Sequence, residues 1–349
     1  MKANKLIIAL IVLASLSPFF IVGEAGGAPF PKNLKYYDKV ISQGLQNFDQ
    51  STIRGVSVED ALKELESWYN TQLEVDWAKA IGNDMTVKFK DGFYIIVLEI
   101  GLPEEFWGIE EIRGGKEGIP SPPLQMGTRT PAKKTAILLG PYEWQFGKGP
   151  IPHIKDALEG IGYNCRVLWN EEVDVRCIER ELVEGVLFNF GHGGGGIHHD
   201  PDNGEEVTVI STGERWTDQT PYKYPTEYQN FEIVCTLISH EGEYFVAYTP
   251  YLINRHYGYG SLPNSLVYME SCNGMHHPSL GDAYRRAGAG AYLGWTESVT
   301  VYHGNRWAAK DFDYFYGGYN VEQVRQKTSR DFLTGAELAY VGDGTLTLT

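Results

Sequence analysis

The sequence predicts an α/β protein built on a mostly parallel sheet flanked by helices, with a small α+β unit ahead of it. Two observations carry that prediction. From residue 135, short apolar runs alternate with helix-like stretches: TAILLG, IPHIKDALEGIG, NCRVLW, VDVRCIERELVEG and VLFNF. Strand, helix, strand, helix, strand is the order that right-handed crossovers build into a parallel sheet covered on both faces. Upstream, one helical stripe is followed by one hairpin signal, which is enough for a small separate unit.

The elements follow in order. The first residues pair Lys2 and Lys5 with the apolar run LIIALIVLASLSPFFIV and then small residues, the pattern of a secretory signal peptide over 1–25 with a cut after Ala25. Export to the cell surface, periplasm or medium is therefore expected; membrane attachment is expected only if that segment stays uncleaved. In VSVEDALKELESWYNTQL, Val58, Ala61, Leu62, Leu65 and Trp68 share a helical face, and Ser57 is the N-cap. DMTVKFKDGFYIIVLEI reads as two strands around an Asp91-Gly92 turn. Residues 114–134 are rich in Gly, Pro and basic residues and read as a linker. The expected division is thus 26–130 as an N-terminal unit or propeptide, and 131–349 as the main domain.

Within the main domain the two helices are expected to end at Gly160 or Gly162 and at Gly185. Residues 197–262, with hairpin-like pieces such as EEVTVIST and EYFVAYTP, read as an insertion or lid. Alternation resumes with SLVYME, SLGDAYRRAGAG and AYLGWTES.

The formal net charge of −15 and the lack of a basic tract beyond the N-terminus exclude general nucleic-acid binding, which needs clustered Lys and Arg. Four cysteines in an exported chain leave two, one or no disulfides open, with Cys165 and Cys177 the nearest pair.

His192 and Cys272 each stand just past an apolar run, in NFGHGGGG and MESCNG. In an open parallel sheet, ligands bind beyond the carboxyl ends of strands, so both residues fall where chemistry is expected. A thiol attacks a carbonyl as thiolate, an imidazole moves the protons, and Gly193 has a backbone free to donate to an oxyanion.

Those two motifs, in that order, resemble the caspase-like clan of cysteine peptidases, which includes caspases, metacaspases, legumains and gingipains. The resemblance covers roughly residues 135–300. It implies a caspase-hemoglobinase-like sheet and an endopeptidase acting on protein or peptide substrates with no organic cofactor. It casts Cys272 as nucleophile, His192 as general acid/base and Gly193 as oxyanion donor. Glu270 would line the pocket for the residue before the cut and favour Arg or Lys; Asp282, Trp295 and Glu297 are further wall residues. Cleavage after Arg129, Lys133 or Lys134 would then release the N-terminal unit. The interval between His192 and Cys272 exceeds the caspase spacing of about 50 residues, which the 197–262 insertion would explain.

Three other readings stand beside this one. Asp200, Asp202, Asn203 and Glu205 carry oxygen ligands that suit Ca²⁺, though without the last Glu of an EF-hand. His192–Gly195 spells the HGGG of esterases, yet no Gly-x-Ser-x-Gly elbow accompanies it. A catalytically silent binding module of the same fold would keep the architecture without the reaction.

Overall fold

The computed structural model describes residues 31–108 and 129–349. The signal segment and most of the linker lie outside the described residues. Among those described, no helix is long and apolar enough to cross a membrane.

Helices α1 (Leu34–Ile53) and α2 (Val58–Asn70) come first. Ser57 caps α2 as expected, its Oγ accepting the Asp60 N–H at 3.2 Å. Ala61, Leu62, Leu65 and Tyr69 are buried, whereas Val58 is exposed, so the buried stripe is rotated slightly from the one the periodicity suggests. Next come β1 (Val75–Ile81), β2 (Asp84–Phe89) and β3 (Tyr94–Leu98). Asp91-Gly92 turns β2 into β3, with Gly92 at φ 87°. A 3₁₀ turn, Glu104–Trp107, closes this part.

Then follow β4 (Thr135–Gly140), α3 (Glu143–Phe146), α4 (Ile151–Gly160), β5 (Asn164–Trp169), α5 (Val175–Arg180) and β6 (Val186–Phe190). Helix α4 ends as expected, with Gly162 at φ 87°. Helix α5 stops well before Gly185; that glycine instead lets the chain pass the Lys133 carbonyl, where a Cβ would collide. After β6 come β7 (Gly193–His198), β8 (Glu205–Arg215), α6 (Thr220–Lys223), α7 (Pro225–Gln229), β9 (Ile233–Ile238), β10 (Glu243–Tyr248) and α8 (Pro250–His256). The chain finishes with β11 (Leu266–Glu270), α9 (Ser279–Arg286), β12 (Ala291–Trp295), α10 (Val301–Tyr316), α11 (Val321–Lys327) and β13 (Leu338–Gly342).

These strands make two mixed sheets. The first runs β5-β4-β6-β11-β12-β13, parallel except for β13. Its five parallel strands follow the doubly wound 2-1-3-4-5 order, with the switch point between β4 and β6. β6 and β11 are buried along their whole length, as strands covered on both faces must be. The second sheet runs β1-β2-β3-β9-β10-β8-β7, with β3 and β9 its one parallel pair. It therefore joins residues 75–98 to 193–248: strands from the expected N-terminal unit and from the expected insertion share one ladder. A core beneath α1 and α2 draws on both, from Tyr37 and Phe89 to Ile233 and Val246.

β7 is the edge of this second sheet and lies against the faces of β1–β3. Asp84 Oδ2 accepts the Gly195 N–H at 2.8 Å and Thr86 Oγ1 accepts the Ile197 N–H at 3.2 Å. A Cβ on Gly195 would stand 2.9 Å from Ile81 and one on Gly196 would stand 2.6 Å from Ile96. The glycine run is what allows this close approach.

Candidate active site

Strands β6 and β11 are adjacent and parallel, with Phe190 paired to Glu270 and the Gly191 N–H donating to the Glu270 carbonyl at 3.0 Å. His192 and Cys272 each follow two residues later, at the carboxyl edge of the first sheet. Both are buried, at 1% and 6% exposure, so a substrate cannot reach them without some rearrangement.

The carboxylate of Glu99, one residue past β3, sits beside both. His192 Nδ1 lies 2.9 Å from Glu99 Oε1 and 2.8 Å from Oε2. On the other side of the ring, Nε2 lies 2.8 Å from Gln145 Oε1, on α3. Both ring nitrogens are thus engaged by neighbours other than the Cys272 thiol. Gln145 Nε2 in turn is 2.7 Å from His240 Nε2, just past β9. Burial lowers the His240 pKa to about 4, so this imidazole is neutral and accepts the amide proton. Its ring stacks on Trp107 with centroids 3.8 Å apart, and Trp107 also lies 6.0 Å from the His192 ring. Tyr142 and Phe146 close the remaining sides of the imidazole.

Burial first, and the adjacent Glu99 carboxylate second, hold the Cys272 thiol well above its ordinary pKa. Its Sγ donates to the Val299 carbonyl at 3.7 Å. The neighbouring Asn273 has φ 56° and Glu99 has φ 61°, both left-handed, which costs an ordinary residue about 1–2 kcal/mol. One group holds both in place. Asp84, fully buried, accepts the Glu99 N–H at 2.9 Å and the Asn273 side-chain amide at 3.1 Å, besides the Gly195 N–H. Burial raises its pKa to about 7. Strained residues held this way gather at functional sites.

Gly193 begins β7 opposite Ile210, while the Ser211 N–H donates to the His192 carbonyl at 3.0 Å. The alternation of an antiparallel ladder then points the Gly193 N–H away from β8, as it does for Gly195 and Ile197. A Cβ at Gly193 would fall 2.8 Å from the Cys272 carbonyl oxygen.

The pocket residues expected from the sequence are dispersed. Glu270 and Trp295 are buried and bonded to one another, indole N–H to carboxyl at 2.8 Å, and a Cβ on Gly304 of α10 would collide with that carboxyl. Burial, eased by the Trp295 bond, raises the Glu270 pKa to about 8, leaving it neutral near pH 7 and without a charge to offer a cation. Asp282 and Glu297 are exposed. In the expected calcium segment, Asp200 accepts the backbone N–H groups of Asp202 and Asn203 at 2.8 and 3.3 Å, forming a turn of its own. Tyr251 donates to Glu205 at 2.5 Å. Cys165, Cys177, Cys235 and Cys272 are all free thiols.

Sequence reasoning missed Asp84, Glu99, Trp107, Gln145 and His240. Only Glu99 and His240 carry a signal of the kind that marked His192: each is a polar residue directly after an apolar strand, in IIVLE and TLISH. Asp84, Gln145 and Trp107 reach the site through tertiary packing alone. Comparison with family models finds no match for the chain. Comparison with curated proteins finds none either.

Proposed function

We propose that the protein is a thiol-dependent endopeptidase of the caspase-like kind, exported and held here in a closed resting arrangement. The observation that carries this reading is the pairing of β6 with β11, which brings His192 and Cys272 to neighbouring positions beyond the strand ends at the edge where ligands bind. Glu99 supports it by holding Nδ1 of the imidazole, the role of the third group in a nucleophile–base–orienter set.

In the working form the imidazole is neutral, with its one proton on Nδ1 facing Glu99; released from Gln145, its unprotonated Nε2 takes the Cys272 proton. The thiolate attacks the peptide carbonyl, with the Gly193 N–H facing the developing oxyanion. The C–N bond breaks as Nε2 returns the proton to the amine, leaving a thioester. Water, deprotonated by the same nitrogen, hydrolyses the thioester and restores the thiol. In the resting form the thiol is protonated, the stacked Trp107 and His240 rings lie beside the imidazole, and Glu270 is sealed against Trp295. A basic residue before the cut requires that seal to open.

A second reading, a catalytically silent binding module, is favoured by one observation: the carboxylate beside Cys272 opposes thiolate formation. Hydrolysis of fluorogenic peptides bearing Arg, Lys, Asn or Asp before the bond separates the two. The peptidase reading expects turnover that vanishes in Cys272→Ala; equal rates in both proteins, or none with any peptide, would leave the binding module.

A further inference from the structure

Three short segments meet near the start of β9, the end opposite His240. Glu179 lies on α5, Glu227 on α7 and His256 at the end of α8, and one ligand atom from each falls within 4.8 Å of the others. Glu232, directly before β9, lies beside this group, its Oε2 near His256. Glu179, Glu227 and Glu232 are 4%, 9% and 3% exposed.

Each of two carboxylates has one oxygen occupied and one free. Glu179 Oε2 accepts from Arg176 at 2.6 Å, and Glu232 Oε1 accepts from Arg255 at 2.8 Å and from Asn230 at 3.1 Å. Their other oxygens, Glu179 Oε1 and Glu232 Oε2, are buried without a hydrogen-bond partner, and so is His256 Nε2. The imidazole nitrogen is near both oxygens: Nε2 lies 3.8 Å from Glu179 Oε1 and 4.0 Å from Glu232 Oε2. Both gaps are too long for a hydrogen bond. They suit ligand atoms gathered around one ion at about 2.0–2.2 Å from each. Buried polar atoms left unpaired are costly, so an imidazole nitrogen with an unpaired carboxylate oxygen close by on either of two residues asks for a shared partner.

We infer that Glu179, Glu227 and His256, with Glu232 beside them, form a binding site for one divalent transition cation, with Zn²⁺ its best match. An imidazole nitrogen among carboxylate oxygens suits zinc better than the all-oxygen preference of calcium. Arg176 and Arg255 offset part of the negative charge while leaving the inward oxygens free. The site is separate from His192 and Cys272, and its role is structural. Helices α5, α7 and α8 have only 6, 5 and 7 residues, too short to be stable alone, and the ion ties them together at the foot of β9.

The test uses the whole chain, stripped by chelator and dialysed, then titrated with Zn²⁺. Bound metal is counted by mass spectrometry of the elements and stability is followed by thermal unfolding. The inference expects one Zn²⁺ per chain and a rise in Tm of about 5 °C or more at a hundredfold excess over Kd. Both are lost in His256→Ala and strongly reduced in Glu227→Gln, which retains a side chain of the same size and decides the matter if the first variant does not fold. A folded wild type that takes up no zinc would overturn the site. So would zinc retained at one equivalent by the folded variants, since the ion would then sit elsewhere.

Discussion

Glu99 acts on the two reactive groups in opposite senses. It holds the His192 ring by Nδ1, which serves proton transfer, and it places a negative charge beside the Cys272 thiol, which disfavours the thiolate. Glu99→Gln therefore splits two readouts. Removing the charge lowers the thiol pKa, so alkylation of Cys272 by iodoacetamide at pH 7.5 should speed up by about tenfold for each unit of pKa regained. Peptide hydrolysis should slow, because a neutral amide stabilises an imidazolium poorly. Mass spectrometry of the alkylated peptide and steady-state rates measure the two; a fall in both would mean that Glu99 only props the site open. At this scale the sequence was partly legible. His192 and Cys272 stood out because each ended an apolar run. Glu99 had the same mark but belonged to a stretch read as a separate unit, and Asp84 drew no notice because its importance comes from three tertiary hydrogen bonds.

Among the elements, β7 changes meaning most between sequence and structure. Its glycines read naturally as loop or oxyanion residues, whereas they form a strand packed against β1–β3. Gly194→Ala tests the point: a Cβ there would collide with Leu98 and Asp84. Overpacking of this sort costs about 1–3 kcal/mol, to be seen as a lower midpoint in urea with an unchanged slope. An unaltered midpoint would mean that β7 can move off the sheet face. The parallel strands β4, β6, β11 and β12 are legible because apolar runs buried on both faces announce themselves, while the half-exposed edge strand β5 is legible from its place between two helix-like stretches. Helix α5 ends at Arg180, short of Gly185, which reads as a helix stop in the sequence and is instead needed where the chain passes the Lys133 carbonyl.

For the molecule as a whole, the joint between β3 and β9 matters most. A parallel pairing between strands so distant in sequence has no local signature, so the N-terminal strands looked removable. Of the basic residues proposed as cleavage points, Arg129 is exposed, while Lys134 donates to the Leu348 carbonyl at 2.6 Å and Ala132 is already bonded to Pro263. A cut at Arg129 should leave both fragments associated through the shared sheet and core, co-eluting in gel filtration without denaturant. Separate elution would restore the removable propeptide.

Stability should also depend on pH through Glu270. Its folded pKa, about 8, lies above that of an unfolded Glu, about 4.3. The folded state therefore holds the extra proton between those values, and this contribution is complete below pH 4.3 and is lost as pH rises to 8. Glu270→Gln, which keeps the neutral shape, should gain stability relative to wild type as pH rises from 5 to 8 in parallel urea titrations; a constant difference would mean that Glu270 ionises freely.

The most direct test of the central claim is labelling by a peptidyl chloromethyl ketone followed by peptide mapping. Exposure alone would favour Cys165, the least buried of the four thiols. The account predicts a single label on Cys272, abolished by His192→Ala and slowed by competing peptide. A label on Cys165, or one on Cys272 indifferent to His192, would contradict it.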